Sequence, residues 1–409
     1  MAGRVFFHIG PPKSGTTYLQ DILWKNKKRL ASDGVLLPAR RVDNFHATMV
    51  VRENPHVHKR HHTAPTAWAR ILEETRQWEG TAIISHEFFG GASAEQTKRV
   101  IDDLSPAEVH VVVTARDYVR LMPAAWQQWV KTRYWGSLTD FIREDAYGGP
   151  LSEWGWRTAD IAAMLDRWGR HLPPEQVHVV TVPQSGAPPD LLWKRFADLC
   201  GIDPDSCDPA GARPNQSLGV VETELMRRVS PNVTQPIRGT PRELLRWLRD
   251  FFAHQVLAAR QGQRFGLSAD DAALLREKSR QAADSIDAAG YHVVGDLSEL
   301  IPPDELPELP HPDSVTETQL VEAAAEVIAE MLQHYRTQTL RGDEQKRRAV
   351  AAERALAEAN AKLARLEEGS AEPRRVRRLL IALSEQHRTI MRARRAYRRM
   401  TGGLRERAG

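Results

Sequence analysis

Near the start of the chain one lysine stands between two glycines, in Gly10-Pro11-Pro12-Lys13-Ser14-Gly15-Thr16-Thr17-Tyr18. Residue types in this order suit an anion. Glycines let backbone approach a ligand closely, unpaired N–H groups and hydroxyls donate to phosphate-type oxygens, and an ammonium neutralises charge on an oxygen as a bond to it breaks. Two later segments place titratable or cationic groups just after apolar runs. Ser85-His86-Glu87 follows residues 81–84, and Ala115-Arg116-Asp117 follows residues 109–114. If both runs are strands, a base candidate and a second cation lie at the carboxyl edge of a sheet, where open α/β folds bind ligands.

The elements that must position these groups follow from hydrophobic period and turn residues. Residues 5–9 are an apolar run that predicts a buried strand, broken by the Gly/Pro turn. Leu19, Ile22 and Leu23 then give a helical period over 16–32, ending near Asp33-Gly34. Val35-Leu36-Leu37-Pro38 predicts a short strand. Helices are expected over 66–77, 93–103, 118–134, 137–145, 158–171 and 189–200. Strands are expected over 81–87, 109–114 and 177–182, the last being the final strand. Residues 219–292 are helical in character. Alternating strands and helices imply a parallel sheet with right-handed crossovers. Residues 39–66 are polar and poorly periodic, and read as a loop facing substrate. Their histidines, His46, His56, His58, His61 and His62, could also gather a transition metal, although no acidic or cysteine partner accompanies them.

The phosphate-type loop departs from the nucleotide-triphosphate pattern G-x-x-x-x-G-K-[ST], because Thr16 follows the second glycine and the lysine comes earlier, at 13. Pro12-Lys13-Ser14-Gly15-Thr16-Thr17 at the end of a first strand resembles the 5′-phosphosulfate loop of the sulfotransferases that use PAPS (3′-phosphoadenosine 5′-phosphosulfate). The resemblance implies a P-loop-NTPase-like three-layer α/β fold with a central parallel sheet, followed by C-terminal helices. It implies transfer of a sulfuryl group from PAPS to a hydroxyl or amine, with no metal. In that reading Lys13 neutralises the leaving phosphate oxygen. Ser14, Gly15, Thr16, Thr17 and Tyr18 hold the donor, Tyr18 standing where the family has an aromatic residue beside the adenine. Glu87 is the general base, with His86 as runner-up or as its partner. Arg116 matches the family's arginine for the 3′-phosphate, but Tyr118 replaces the usual proline and Ala124 the usual serine, so that site is incomplete. Arg213 and Ser217, in a late loop, are the replacements on offer. The helix after Arg116 would form the acceptor wall through Trp126, Gln127, Gln128, Lys131 and Arg133, residues that would equally suit helix packing. Glycan, lipid-linked and small-molecule acceptors all remain open. The competing readings are an ATP-dependent kinase, which would want lysine at 16, and a non-catalytic anion-binding or scaffold protein.

Composition bounds the remainder. The chain has 409 residues, a net charge of +4, and 41% apolar with 27% charged residues. No run approaches the roughly 18–20 apolar residues of a membrane span. Only Cys200 and Cys207 are present, which excludes a disulfide scaffold and fits free thiols in a reducing cytoplasm. The expected organisation is a sulfotransferase-like domain over 1–310, a helical extension over 313–368 and a basic helical tail over 374–409. In 343–368, Ala349, Ala352, Leu356, Ala359, Leu363 and Leu366 hold heptad positions that suit self-association through a short coiled coil. The basic amphipathic segment 374–399 suits a membrane surface or another polyanion. No specific nucleic-acid partner is expected.

Overall fold

A computed structural model describes residues 2–132, 134–143, 155–209 and 217–368. Six strands, β1 (Arg4–Ile9), β2 (Val35–Leu36), β3 (Thr81–Ser85), β4 (Glu108–Ala115), β5 (Val177–Thr181) and β6 (His292–Val294), form one sheet in the order β2-β3-β1-β4-β5-β6. Every pairing is parallel. The helices are α1 (Thr16–Lys25), α2 (Lys27–Ser32), α3 (Arg41–Val51), α4 (Ala67–Gln77), α5 (Ala94–Leu104), α6 (Tyr118–Val130), α7 (Leu138–Arg143), α8 (Trp156–Ala159), α9 (Ile161–Gly169), α10 (Leu191–Leu199), α11 (Val220–Val229), α12 (Pro241–Leu244), α13 (Ala269–Ala288) and α14 (Glu317–Glu368). A π-helical stretch, Leu245–Val256, continues α12.

Alternation along β1 explains the layers. Val5, Phe7 and Ile9 enter one core with residues of α4, α5, α6, α9 and α13. Phe6 enters the other with Leu19, Leu23 and Phe196 of α1 and α10. Both faces are covered, so the strands read as continuous apolar runs. Phe7 stacks on Trp168 with centroids 4.8 Å apart, which ties α9 to the sheet centre. The expected α/β class is therefore the one observed: a central parallel sheet with helices on both faces and helices following it.

Several local expectations differ. The segment read as a loop over 39–66 contains α3, whose buried face is largely polar: Asp43, Asn44, His46 and Thr48 are buried, with Asp43 paired to Arg40 and Arg70. Such a face is invisible to a search for apolar period. Among the described residues no group of three or more His, Cys, Asp or Glu side chains is placed to hold a metal ion. The helix expected over 16–32 breaks into α1 and α2 at Asn26, whose side-chain amide donates to the Ile22 carbonyl. The sheet also has a strand beyond 177–182: β6 adds three residues after α13, too short to show a period. Cys200 and Cys207 are buried free thiols.

The chain divides into two compact units, Met1–Val327 and Ile328–Gly409. The first runs past the Pro-rich stretch 302–312 because Leu320, Ala323 and Val327 of α14 are buried in its core. The helical extension expected over 313–368 is one continuous helix, α14, from Glu317 to Glu368. No helix among the described residues is long and apolar enough to cross a membrane. The basic segment 374–399 lies outside the described residues.

At the amino-terminal end of the sheet a line of histidines spans three strands. Glu108 Oε1 lies 3.1 Å from His110 Nε2, His110 Nδ1 lies 2.8 Å from His178 Nε2, and His178 Nδ1 lies 2.8 Å from His292 Nδ1. One set of neutral tautomers satisfies both ring–ring contacts, His292 donating to His178 and His178 to His110. Burial, with His110 and His292 adding to it, lowers His178 to about 4, and burial also lowers His110. The unfolded chain therefore takes up protons first, so stability present above about pH 6.5 is lost as the pH falls toward about 4. We expect the denaturation free energy to drop over that window by an amount on the order of 1–3 kcal/mol. His178→Gln should flatten the dependence; a Gln variant that keeps the full slope would place the proton uptake elsewhere.

Candidate active site

The phosphate-type loop, the His86-Glu87 pair and Arg116 follow β1, β3 and β4. These strands are neighbours, with β1 in the middle. Because the chain leaves β1 for β2 and β3 on one side and then returns to β4 on the other, their carboxyl ends frame a crevice of the kind that binds ligands.

Within the loop the Ser14 amide donates to the Pro11 carbonyl (3.1 Å), closing a turn with Pro12 and Lys13 at its corners. Lys13 takes φ +77°, a left-handed backbone that costs a non-glycine residue roughly 1–2 kcal/mol. Residues held this way concentrate where a ligand is clamped. Gly10 is at φ +155°, and a Cβ there would meet Thr114 Oγ1 at 2.3 Å. Ser14 is fully buried, and its hydroxyl donates to the Pro11 carbonyl and meets Thr114 Oγ1, both at 2.7 Å. With its N–H and hydroxyl both engaged, Ser14 supports the loop rather than facing its mouth. Gly15 caps α1 at φ +86° with no side chain to satisfy the first turn, and no acidic residue lies in that turn. The first N–H groups of a helix have no intrahelical acceptor, so those of Thr16, Thr17 and Tyr18 point outward with the positive end of the helix.

The Lys13 ammonium donates to Gln128 Oε1 of α6 at 2.9 Å. Burial lowers its pKa to about 8; Glu87 offsets part of the effect and Arg116 adds to it. Arg116 Nη1 donates to the Lys13 carbonyl at 2.9 Å, pinning the turn. Burial, then Arg120, lowers this guanidinium to about 10. Its Nε is buried with no hydrogen-bond partner among the described residues. Neighbouring Asp117 is committed elsewhere, since it accepts from the Arg120 amide at 2.9 Å as the cap of α6 and pairs with the Arg120 guanidinium.

β3 ends at Ser85, two residues earlier than the sequence suggests, and Glu87 opens a tight 3-10 turn, Glu87–Gly91. Glu87 Oε2 accepts from Gln20 Nε2 of α1 at 3.1 Å and lies 3.6 Å from His86 Nδ1. Burial pushes the Glu87 carboxyl up, but His86, backbone N–H, Gln20 and His8 together outweigh it and hold the group below the ordinary carboxylate value. His86 Nδ1 accepts from the Phe88 amide at 3.2 Å. Of the two, Glu87 is the one bound to α1 and coupled electrostatically to Lys13.

A further cationic surround was not legible as such. Lys131, at the end of α6, is 2% exposed. Burial, Lys13 and Arg249 lower it to about 7, and burial, Lys131 and Arg249 lead the effects that lower His254 to about 4. Like charges gathered around Lys13 raise the affinity of this region for a polyanion.

Not every expected residue joins the site. Trp126 is fully buried, donates to the Gly136 carbonyl and packs edge-on against Phe265. Gln127 bonds the Leu218 carbonyl and Thr223. Both are packing residues, and of the expected acceptor wall Gln128 is the one that reaches Lys13. Tyr18 is half-buried, with its hydroxyl 3.4 Å from the Pro189 carbonyl. Ser217 is exposed, and Ala124 is half-buried on α6. Arg213 and Arg133 lie outside the described residues. Sequence reasoning missed His8, Gln20 and Thr114. His8 is fully buried, bonds Ser85 Oγ at 2.8 Å, and is lowered to about 4 by burial. Its only signal was a polar residue inside an apolar strand.

No protein-family model matches the sequence, and no curated protein matches it. Among solved structures, a sulfotransferase from Alicyclobacillus acidocaldarius matches at 17% sequence identity and a TM-score of 0.36, over 59% of this chain and 94% of that chain. A match this distant bears on neither activity nor residue roles.

Proposed function

We propose that this chain is a PAPS-dependent sulfotransferase that moves a sulfuryl group to a hydroxyl or amine of its acceptor. One observation carries the reading: on three adjacent strand ends, an ammonium, a carboxylate and a guanidinium gather around the uncapped start of a helix. The residues present fit a donor with two phosphate-type groups. The open first turn of α1 with Thr16 and Thr17 suits the 5′-phosphosulfate, and Arg116, with its buried Nε still unpaired, suits the 3′-phosphate.

The bound donor supplies the sulfuryl group. Glu87, ionised at neutral pH, accepts the proton that the acceptor oxygen or nitrogen loses as its bond to sulfur forms. Lys13 stabilises the negative charge that grows on the phosphate oxygen as the old S–O bond breaks. Gln128 holds the ammonium in place before the donor arrives, and Gln20 fixes the carboxylate from the helix that would bind it. His86 stands beside Glu87 as its partner. Tyr18 is assigned to the adenine, and Ser217 to the 3′-phosphate, by resemblance alone.

Calorimetric titration tests this reading. The product nucleotide PAP should bind more tightly than AMP by about 10–100-fold, the value of one charged hydrogen-bonded phosphate contact. ATP should bind more weakly than PAP. Tighter binding of ATP would overturn the assignment and favour a kinase, whose lysine should have followed Gly15.

A further inference from the structure

The second unit carries a stripe that the proposed chemistry does not use. On α14, positions 328, 335, 342, 349 and 356 recur at a strict seven-residue interval and hold Ile328, Tyr335, Gly342, Ala349 and Leu356. Ile328 is 58% exposed, Tyr335 73% and Leu356 50%, and Leu332 beside them is 64% exposed. Leu340 and Val350 are also exposed but stand off this stripe. A seven-residue apolar repeat over four intervals, about 42 Å of helix, matches a left-handed two-stranded seam. Helices with so much apolar surface in water bury it against a partner.

The polar residues on the same face select that partner. With 328 and 335 as one core line, the other falls on Met331, Gln338, Gln345 and Ala352. Two glutamines inside a seam are costly unless their amides pair, and in a parallel, in-register dimer each meets its own copy. An antiparallel partner would set them against the tyrosine or small-residue line instead. The flanks agree. Parallel pairing puts Arg348 opposite Glu353 of the second copy, with Arg341 opposite Lys346 as the unfavourable contact. Antiparallel pairing sets Arg341 and Arg348 on one flank against the same flank of the other copy. We infer that a second copy of this chain covers the stripe, in a parallel coiled coil that begins at Ile328 and continues in the same register into the 343–368 heptads.

The full-length protein tests this by sedimentation equilibrium at micromolar concentration. The wild-type chain should have the mass of two copies, and Ile328→Glu combined with Tyr335→Glu should return it to one. Both side chains are exposed on α14, in the second compact unit, so PAP binding should survive the change. In the same preparation Gly342→Cys should cross-link the two copies under mild oxidant, because this position faces itself across a parallel seam. A monomeric wild type, a dimer indifferent to the double change, or a dimer that Gly342→Cys leaves uncross-linked would each overturn the inference.

Discussion

Lys13→Ala should lower the rate of sulfuryl transfer by about 10²–10³-fold, the cost of removing one preorganised stabiliser of a developing oxyanion. The size of the effect follows from how the ammonium is held. It is half-buried, bonded to Gln128 at 2.9 Å, and lowered to about 8 by burial, so water cannot take over its role. A donor's negative charge would raise that value again and draw the proton fully onto the amine. Lys13→Arg should rescue little, because the planar fork cannot reproduce a point charge at a turn that already has Arg116 packed against its carbonyl. Transfer from labelled PAPS into acceptor fractions measures the rate, and PAP titration measures binding. Alanine at 13 should weaken PAP binding far less than turnover. Retained turnover would remove Lys13 from the chemistry altogether.

Glu87→Gln should leave PAP binding unchanged and lower turnover by about 10²–10⁴-fold, the range for loss of a general base. The glutamine keeps the shape and can still accept from Gln20, so the loss isolates the missing charge. Because the Glu87 carboxyl lies below the ordinary value, its charged form is lost only as the pH falls through that depressed value. Turnover should accordingly be flat through neutral pH on the acid side. His86→Asn should cost less, acting through the charge balance at Glu87, 3.6 Å away. If His86→Asn abolishes turnover and Glu87→Gln does not, the two roles are exchanged.

The positions of Lys13, Glu87 and Arg116 were readable because each follows a short apolar run, and runs buried on both faces are the strongest single-sequence signal of a parallel sheet. That the three strands are neighbours was not readable, since pairing order is not encoded in any one segment. The Lys13–Gln128 bond joins residues 115 apart in sequence. Along α6, period alone does not decide which side faces the crevice, so it admits Trp126 and Gln127 to the acceptor wall, although both lie in packing contacts. From sequence α3 reads as a loop, because its inward face is largely polar rather than apolar.

The loop cannot be moved as a cassette. Its sequence occupies six residues, but its shape is set from outside: Thr114 holds Ser14, Arg116 holds the Lys13 carbonyl, and Gln128 aims the ammonium. All three lie on β4 or the segment and helix that follow it. Transplanting Pro12–Thr17 onto another strand–helix junction would transfer the glycines and the lysine without the left-handed turn, which relaxes once its clamps are gone. In this chain the unit of inheritance is the loop together with residues 114–128.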